Sequence, residues 1–274
     1  MSERRIRKLS GGNPETNARE AMSKSARQEK ILDMLESDGQ VRISELAHYF
    51  NTSVVTIRSD LDAMDEAGLV ERTPGGAVLT TITQFNRDFQ KQKHTRTEEK
   101  RDVAMATASR IQDGDTLFIN SGSTTYFVAL MLKKLQKRVT IVTNSVYIAM
   151  ELGGTPGFLI IFVGGQINSR SAFTCGADAL NQLRQYRVQH AILSIDGIDE
   201  TGIATFHSDE APLAQLMMEN ARNRIIVADS SKVGKNGFCN ISNLSHIDLL
   251  VTNKNCKMDV IRQIREAGVE VELV

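Results

Sequence analysis

Apolar residues between positions 25 and 64 recur three times at helical spacing, each stripe too short to stand alone. Ile31, Leu32 and Leu35 mark a first helix over about 25–37. Ile43, Leu46, Ala47 and Phe50 mark a second that starts near Ser44, and Ile57, Leu61 and Met64 mark a third whose N-cap is Ser53. Only Asn51 and Thr52 separate the second helix from that cap, so the two must cross. Leu69–Arg72 and Ala77–Leu79 can then pair as a hairpin across Thr73, Pro74, Gly75 and Gly76. This order of elements predicts a winged helix-turn-helix over 25–80. In that arrangement Ser53, Val55, Thr56, Arg58 and Ser59 face DNA from the first turns of the third helix, and Arg72, Gly75 and Gly76 bring the wing to the backbone. A helical hairpin used for protein contacts fits the same pattern.

From about Thr97 the pattern changes to short, almost wholly apolar runs at 116–120, 139–144, 158–165, 190–196, 224–229, 248–253 and the C-terminal VEVELV. Strands this apolar are buried on both faces, as in parallel sheets. Amphipathic segments near 98–112, 124–136, 146–152, 177–186, 209–222 and 257–267 alternate with them. The expected fold class is therefore α/β, a winged helix-turn-helix followed by an open, mostly parallel sheet over 97–274. Residues 81–96 lack a clear period and read as a linker, although Phe85 and Phe89 can dock on either domain. Residues 1–24, rich in charge, Gly and Asn, read as a flexible tail.

Ligands of open parallel sheets bind beyond the carboxyl ends of the strands, and here those ends are small and polar. Ser121, Gly122, Ser123, Thr124 and Thr125 open a helix, where free N–H groups and the helix dipole favour an anion; helix capping by Ser123 explains the same residues. Asn144, Gly165 with Arg170 nearby, Asp196 and Lys232 follow other strands, and Glu210 stands beside them in the chain. Hydroxyls, a lysine and carboxylates on one rim suit a phosphorylated polyol, though each loop taken alone is also a capped turn.

Composition adjusts this picture in three places. The chain has 274 residues, 41% hydrophobic and 24% charged, with 33 basic and 33 acidic side chains, which is ordinary for a globular protein. Residues 1–80 carry eleven basic against thirteen acidic side chains, a net of −2, so the usual basic footprint of a DNA-binding domain is missing and more than one copy is expected on DNA. No apolar run approaches the ~20 residues that cross a membrane, and the basic start lacks the apolar core of a signal peptide, so a cytoplasmic protein is expected. Cys175, Cys239 and Cys256 are widely spaced and suggest neither a disulfide framework nor a metal site; no cofactor is expected.

The succession TIR-x-DL, acidic turn, GLVER and GGA resembles the DNA-binding domain of the DeoR family of bacterial transcriptional regulators. SGSTT, TNS, GG, DGI and DSSK, in that order, resemble the family's C-terminal sensor domain, itself similar in fold to ribose-5-phosphate isomerase; together the resemblance covers about 25–274. It implies a repressor of a carbohydrate-utilisation operon that binds operator DNA as a homodimer or homotetramer and responds to a phosphorylated sugar. DEAxL, DSSK and GVEVxLV look closest to regulators of amino-sugar and hexitol utilisation. Three positions depart from the family's usual residues: Ser59 for arginine, Pro74 for an aromatic or histidine, and Asn120 for aspartate. DGIDE and ADSSK are also similar to segments of the isomerase, which raises a rival reading, a sugar-phosphate isomerase or deaminase fused to an interaction domain. The isomerase's lysine and glycine run have no counterpart in Gly202–Ser208, so the resemblance implies a pocket kept without the catalysis.

Overall fold

The computed structural model describes residues 23–67, 69–79, 89–169 and 171–274, and the chain divides into two compact units on either side of residue 80. The first contains α1 (Lys24–Asp38), β1 (Gln40–Arg42), α2 (Ile43–Tyr49), α3 (Val54–Glu66), β2 (Val70–Thr73) and β3 (Gly76–Leu79). Ser23 caps α1 by accepting from the Ala26 amide, and Gly39, at φ 76°, ends it by donating to the Leu35 carbonyl. Ser53 caps α3 by accepting from the Thr56 amide at 3.0 Å. The apolar stripes of the three helices meet as expected in one small core that includes Ile31, Leu35, Leu46, Ile57, Leu61 and Met64.

The wing differs from the expected hairpin in two ways. It has three strands in the order β1-β3-β2, because Val41, in a run too short to show a period, pairs with Ala77 and enters the core. The turn is also tighter, since Thr73 already pairs with Gly76 and only Pro74 and Gly75 lie between them. Gly75 has φ 92°, and proline followed by such a glycine is the order a type II turn asks for.

In the second unit seven strands form an all-parallel sheet: β4 (Thr116–Ile119), β5 (Val139–Thr143), β6 (Phe158–Phe162), β9 (Val188–Ser194), β12 (Ala221–Val227), β14 (Leu249–Thr252) and β15 (Glu270–Leu273). Their order across the sheet is β15-β14-β12-β9-β4-β5-β6. Leu117 and Ile119 enter one core layer and Phe118 the other, and Ala191 and Leu193 alternate with Ile192 in the same way. That two-sided burial is why the five interior strands read as continuous apolar runs; against the expectation, the edge strand β6 is apolar but open, with Leu159 60% exposed, and the edge strand β15 alternates glutamate with apolar residues. Helices α4 (Thr97–Arg110), α5 (Ser123–Lys134), α6 (Val146–Leu152), α7 (Ala177–Leu183), α8 (Ala211–Glu219) and α9 (Met258–Glu266) connect them. Among the described residues no helix is long and apolar enough to cross a membrane.

Two small antiparallel sheets were not expected: β7 (Gln166–Asn168) with β8 (Phe173–Cys175), and β10 (Gly197–Asp199), β11 (Gly202–Thr205) and β13 (Cys239–Ser242). The expected linker also changes. Residues 89–94 are helical, and Phe89 stacks on Tyr147 (4.0 Å between ring centroids) and meets Tyr126 edge-on, all within the second unit. Phe85, the tail residues 1–22 and Arg170 lie outside the described residues.

Candidate functional site

On the first unit, the surface that follows the Ser53 cap is open. Val55 is 73% exposed, Arg58 and Ser59 are exposed, and Thr56 is half-buried with its hydroxyl 2.9 Å from Ser53 Oγ. Arg72 turns away from the wing tip, pairing with Asp62 at 2.9 Å and reaching the Arg58 carbonyl at 3.5 Å, so it braces the wing against α3. Gly75 is exposed at the turn, whereas Gly76 is buried where a Cβ would stand 1.9 Å from the Val41 carbonyl oxygen. Close packing of β3 on β1 therefore accounts for Gly76.

Beneath that surface lies a pair absent from the sequence reading. Asp60, 2% exposed, takes Arg27 Nε at 2.5 Å and Nη2 at 3.2 Å, tying α1 to α3. Asp60 is the aspartate of TIR-x-DL, and it falls in the buried stripe with Ile57, Leu61 and Met64.

On the second unit, strand order reverses at the junction of β4 and β9, and a cleft opens beyond their carboxyl ends. It is lined by Phe89, Gln92, Ser121, Gly122, Ser123, Thr124, Ser171, Ser194, Ile195, Asp196, Thr205, His207, Glu210 and Lys232. Gly122 is the N-cap of α5 and offers no side chain to its first turn, so capping by Ser123 does not explain the loop. A Cβ on Gly122 would lie 1.9 Å from Ser194 Oγ. Asn120 donates from Nδ2 to the Ser194 carbonyl at 2.9 Å and accepts from the Ser194 amide at 2.9 Å, prolonging the β4–β9 ladder with a side chain. An aspartate carboxylate accepts but cannot donate, so the first bond depends on asparagine.

Three charged groups meet in the cleft. Lys232 Nζ lies 3.1 Å from Asp196. Burial pushes the Asp196 carboxyl up, but Lys232, the Phe206 amide and the Thr205 hydroxyl outweigh it and hold the group below its ordinary value. Glu210 behaves oppositely. Burial, with a smaller contribution from the Asp196 charge, outweighs the hydrogen bonds from Ser121 (2.9 Å) and Thr205 (3.2 Å) and pushes its pKa up to about 7. The single Thr205 proton cannot serve Glu210 and Asp196, 3.1 Å away, at once. A protonated Glu210 resolves this by donating to Thr205, which donates to Asp196.

The folded protein thus holds the Glu210 proton to higher pH than the unfolded chain. Its contribution to stability is full below the ordinary glutamate value of 4.5 and is lost as pH rises to about 7. The fall in melting temperature between about pH 5 and about pH 8 should therefore be shallower in Glu210→Gln than in the parent; equal slopes would assign the titration to another group.

The cleft gathers Ser121, Gly122, Ser123, Thr124, Asp196, Glu210 and Lys232, as the sequence predicts, and omits three residues. Thr125 is fully buried and donates to the Asn120 carbonyl at 2.9 Å. Asn144 is fully buried and donates to the Thr174 carbonyl at 3.1 Å, while its Oδ1 has no hydrogen-bond partner among the described residues. Gly165, at φ 140°, sits where a Cβ would be 2.5 Å from the Cys175 carbonyl oxygen. Each follows a strand, but its side chain or Cβ position turns into the domain. Ser171, Ser194, Thr205 and Gln92 were missed because they lie in strands, turns or the expected linker.

A winged helix-turn-helix joined in one chain to an open parallel domain with a polar cleft at its switch point is the build of a ligand-responsive transcriptional regulator. Residues 27–83 match the DeoR-like helix-turn-helix domain and residues 95–254 the DeoR C terminal sensor domain. The chain belongs to the DeoR family of transcriptional regulators. It is 33% identical to the glycerol-3-phosphate regulon repressor of Escherichia coli (strain K12), over 92% of this chain and 100% of that one. It is 32% identical to the putative aga operon transcriptional repressor of Escherichia coli O157:H7, over 91% of this chain and 94% of that one. These relatives are repressors, and this chain is a DNA-binding regulator rather than an enzyme. Among solved structures, ribose 5-phosphate isomerase from Plasmodium falciparum is similar at a TM-score of 0.38 and 18% identity, covering 52% of this chain and 55% of that one. That likeness is distant, and the family assignment rests on the sequence matches.

Proposed function

We propose that this protein represses a carbohydrate-utilisation operon in the cytoplasm and is released from its operator by a phosphorylated sugar or sugar derivative. Val55, Thr56, Arg58 and Ser59 meet base edges and phosphates in the major groove, and Gly75 brings the wing tip to the backbone. Ser121, Ser123, Thr124 and the first amides of α5 hold the effector's phosphate with Lys232, while Asp196, Glu210 and Thr205 take its hydroxyls. The observation that carries this reading is the α5 N-terminus, capped by a glycine without a side chain and opening into the same cleft as a lysine and two carboxylates. Release requires the effector to bind the DNA-free conformation more tightly, and the net-acidic first unit calls for a homodimer or homotetramer on paired half-sites.

The test is thermal stability against phosphorylated sugars, hexitols, amino sugars and glycerol 3-phosphate, each beside its unphosphorylated counterpart. At a hundred times its dissociation constant a bound compound adds about 2.7 kcal/mol to stability. A shift confined to phosphorylated compounds is expected, and a panel without any shift would sink the sensor reading. Arg58→Ala should abolish retention of the operator and keep the thermal shift; loss of both would make Arg58 a residue of the fold.

A further inference from the structure

The helical turn at 89–94 lines the effector cleft and is also the described part of the sensor unit that leads back along the chain toward the DNA-binding unit. Phe89, 4% exposed, closes one side of the cleft from its stack on Tyr147, and the exposed Gln92 faces the same space. The far end of the turn is held by a buried ammonium. Lys100, 3% exposed, donates to the Gln92 carbonyl at 2.5 Å and the Thr95 carbonyl at 2.7 Å, where a helix end carries partial negative charge.

Lys100 in turn connects to the cleft. Its Nζ lies 3.9 Å from Asp229, which caps the short turn Ser230–Lys232 by accepting from the Ser231 amide at 3.0 Å. Ser230 is fastened on its other side, its hydroxyl donating to Glu99 at 2.6 Å, while Arg96 reaches Glu99 at 2.6 Å. Lys232, the last residue of that turn, lines the cleft and brings a cation to it. Burial lowers the Lys100 pKa against the opposing charges of Asp229 and Glu99, and the nearby charges of Lys232 and Arg96 add to the lowering. An anion drawn to Lys232 therefore alters the field at the ammonium that holds the turn.

On the reading given under Proposed function, we propose that the turn at 89–94 is the effector reader: Gln92 and Phe89 contact the bound effector, and binding repositions the turn through which the chain runs toward the DNA-binding unit. Direct contact at Gln92 and the relay through Lys232, the Ser230–Lys232 turn and Lys100 act on the same short segment.

The chain contains no tryptophan, so Phe89→Trp gives the full-length protein a single indole at the cleft wall. Met150→Trp, at a position 74% exposed on α6, is the control. With inorganic phosphate as probe, indole emission of Phe89→Trp should change and saturate while that of Met150→Trp stays constant. Gln92→Ala, which removes an exposed side chain and keeps the carbonyl that Lys100 uses, should raise the half-saturating concentration of phosphate in the thermal shift about fivefold, the worth of one hydrogen bond. Amide exchange at 89–96 should slow on adding phosphate in the unsubstituted protein, which covers the case in which Phe89→Trp fails to fold. A phosphate-induced thermal shift with a silent indole, an unchanged half-saturation in Gln92→Ala and unchanged exchange overturns the inference and leaves the proposed function standing. A protein unmoved by phosphate and by every phosphorylated compound overturns both.

Discussion

Gly122→Ala should give a repressor that holds its operator and ignores its effector. The added methyl would stand 1.9 Å from Ser194 Oγ, 3.0 Å from Ser194 Cβ and 3.3 Å from Thr125 Oγ1, and φ at this residue is 154°. The Ser194 hydroxyl can rotate away, but its Cβ is fixed because the residue's amide and carbonyl are both bonded to Asn120. Backbone strain of this kind costs about 1–3 kcal/mol, and it falls on the loop proposed to hold the phosphate. The effector-induced thermal shift should disappear while operator binding in a gel-shift or anisotropy assay is kept. Adding Ser194→Gly relieves the contact but not the dihedral, so it should restore only part of the response. Full response in Gly122→Ala would remove this loop from the effector site.

Loss of the Asp60 carboxylate should unfold the DNA-binding unit and spare the sensor. Asp60→Ala deprives the Arg27 guanidinium, whose side chain is 12% exposed, of a bidentate partner that is 2% exposed. Breaking a buried pair from one side costs about 3–5 kcal/mol, comparable to the whole stability of many small domains. Circular dichroism should show an early transition at the expense of the first unit and an unchanged later one, with operator binding lost and the effector-induced shift retained. Asp60→Leu combined with Arg27→Met replaces the pair with apolar groups and should recover most of the lost stability. A single transition at the parent temperature in Asp60→Ala would show that the pair contributes little.

The fold was legible wherever burial repeats with a period. The five interior strands read directly because Leu117, Phe118, Ile119 and their equivalents are apolar on both faces, the edge strands β6 and β15 read from apolar runs that the sheet leaves partly open, and α3 read from Ile57, Leu61 and Met64. Short elements escaped: Gln40–Arg42 and Gly197–Asp199 are three residues long, and no period shows in three residues. Of the candidate effector residues, Ser121–Thr124, Asp196, Glu210 and Lys232 share the cleft because strand ends and helix starts locate them. Asn144, Gly165 and Thr125 lie outside the cleft lining, since the end of a strand gives a residue's height in the sheet but not the direction of its side chain. Asp60 lay in plain view in the apolar stripe, three positions after Ile57, but its partner is 33 residues away, and that pairing is a property of the packed unit.

The sheet also has a seam. Strands β4, β5 and β6 add to one another in chain order, as do β9, β12, β14 and β15, and only the β4–β9 ladder joins the two sets. That ladder matches three residue pairs, as does β12–β14, against five between β5 and β6 and six between β9 and β12, and it joins strands about seventy residues apart. Local pairings close early in folding and distant ones late, so the seam should be among the last parts of the sensor to assemble. An effector seated as proposed would bridge it, with Ser121–Thr124 on one side and Asp196, Glu210 and Lys232 on the other. Occupancy would then lengthen the life of the folded chain, slowing amide exchange at 117–119 and 190–192 and delaying proteolysis. On the proposed reading, the compound that releases the operator would at the same time preserve the repressor, leaving a full stock ready when that compound runs out.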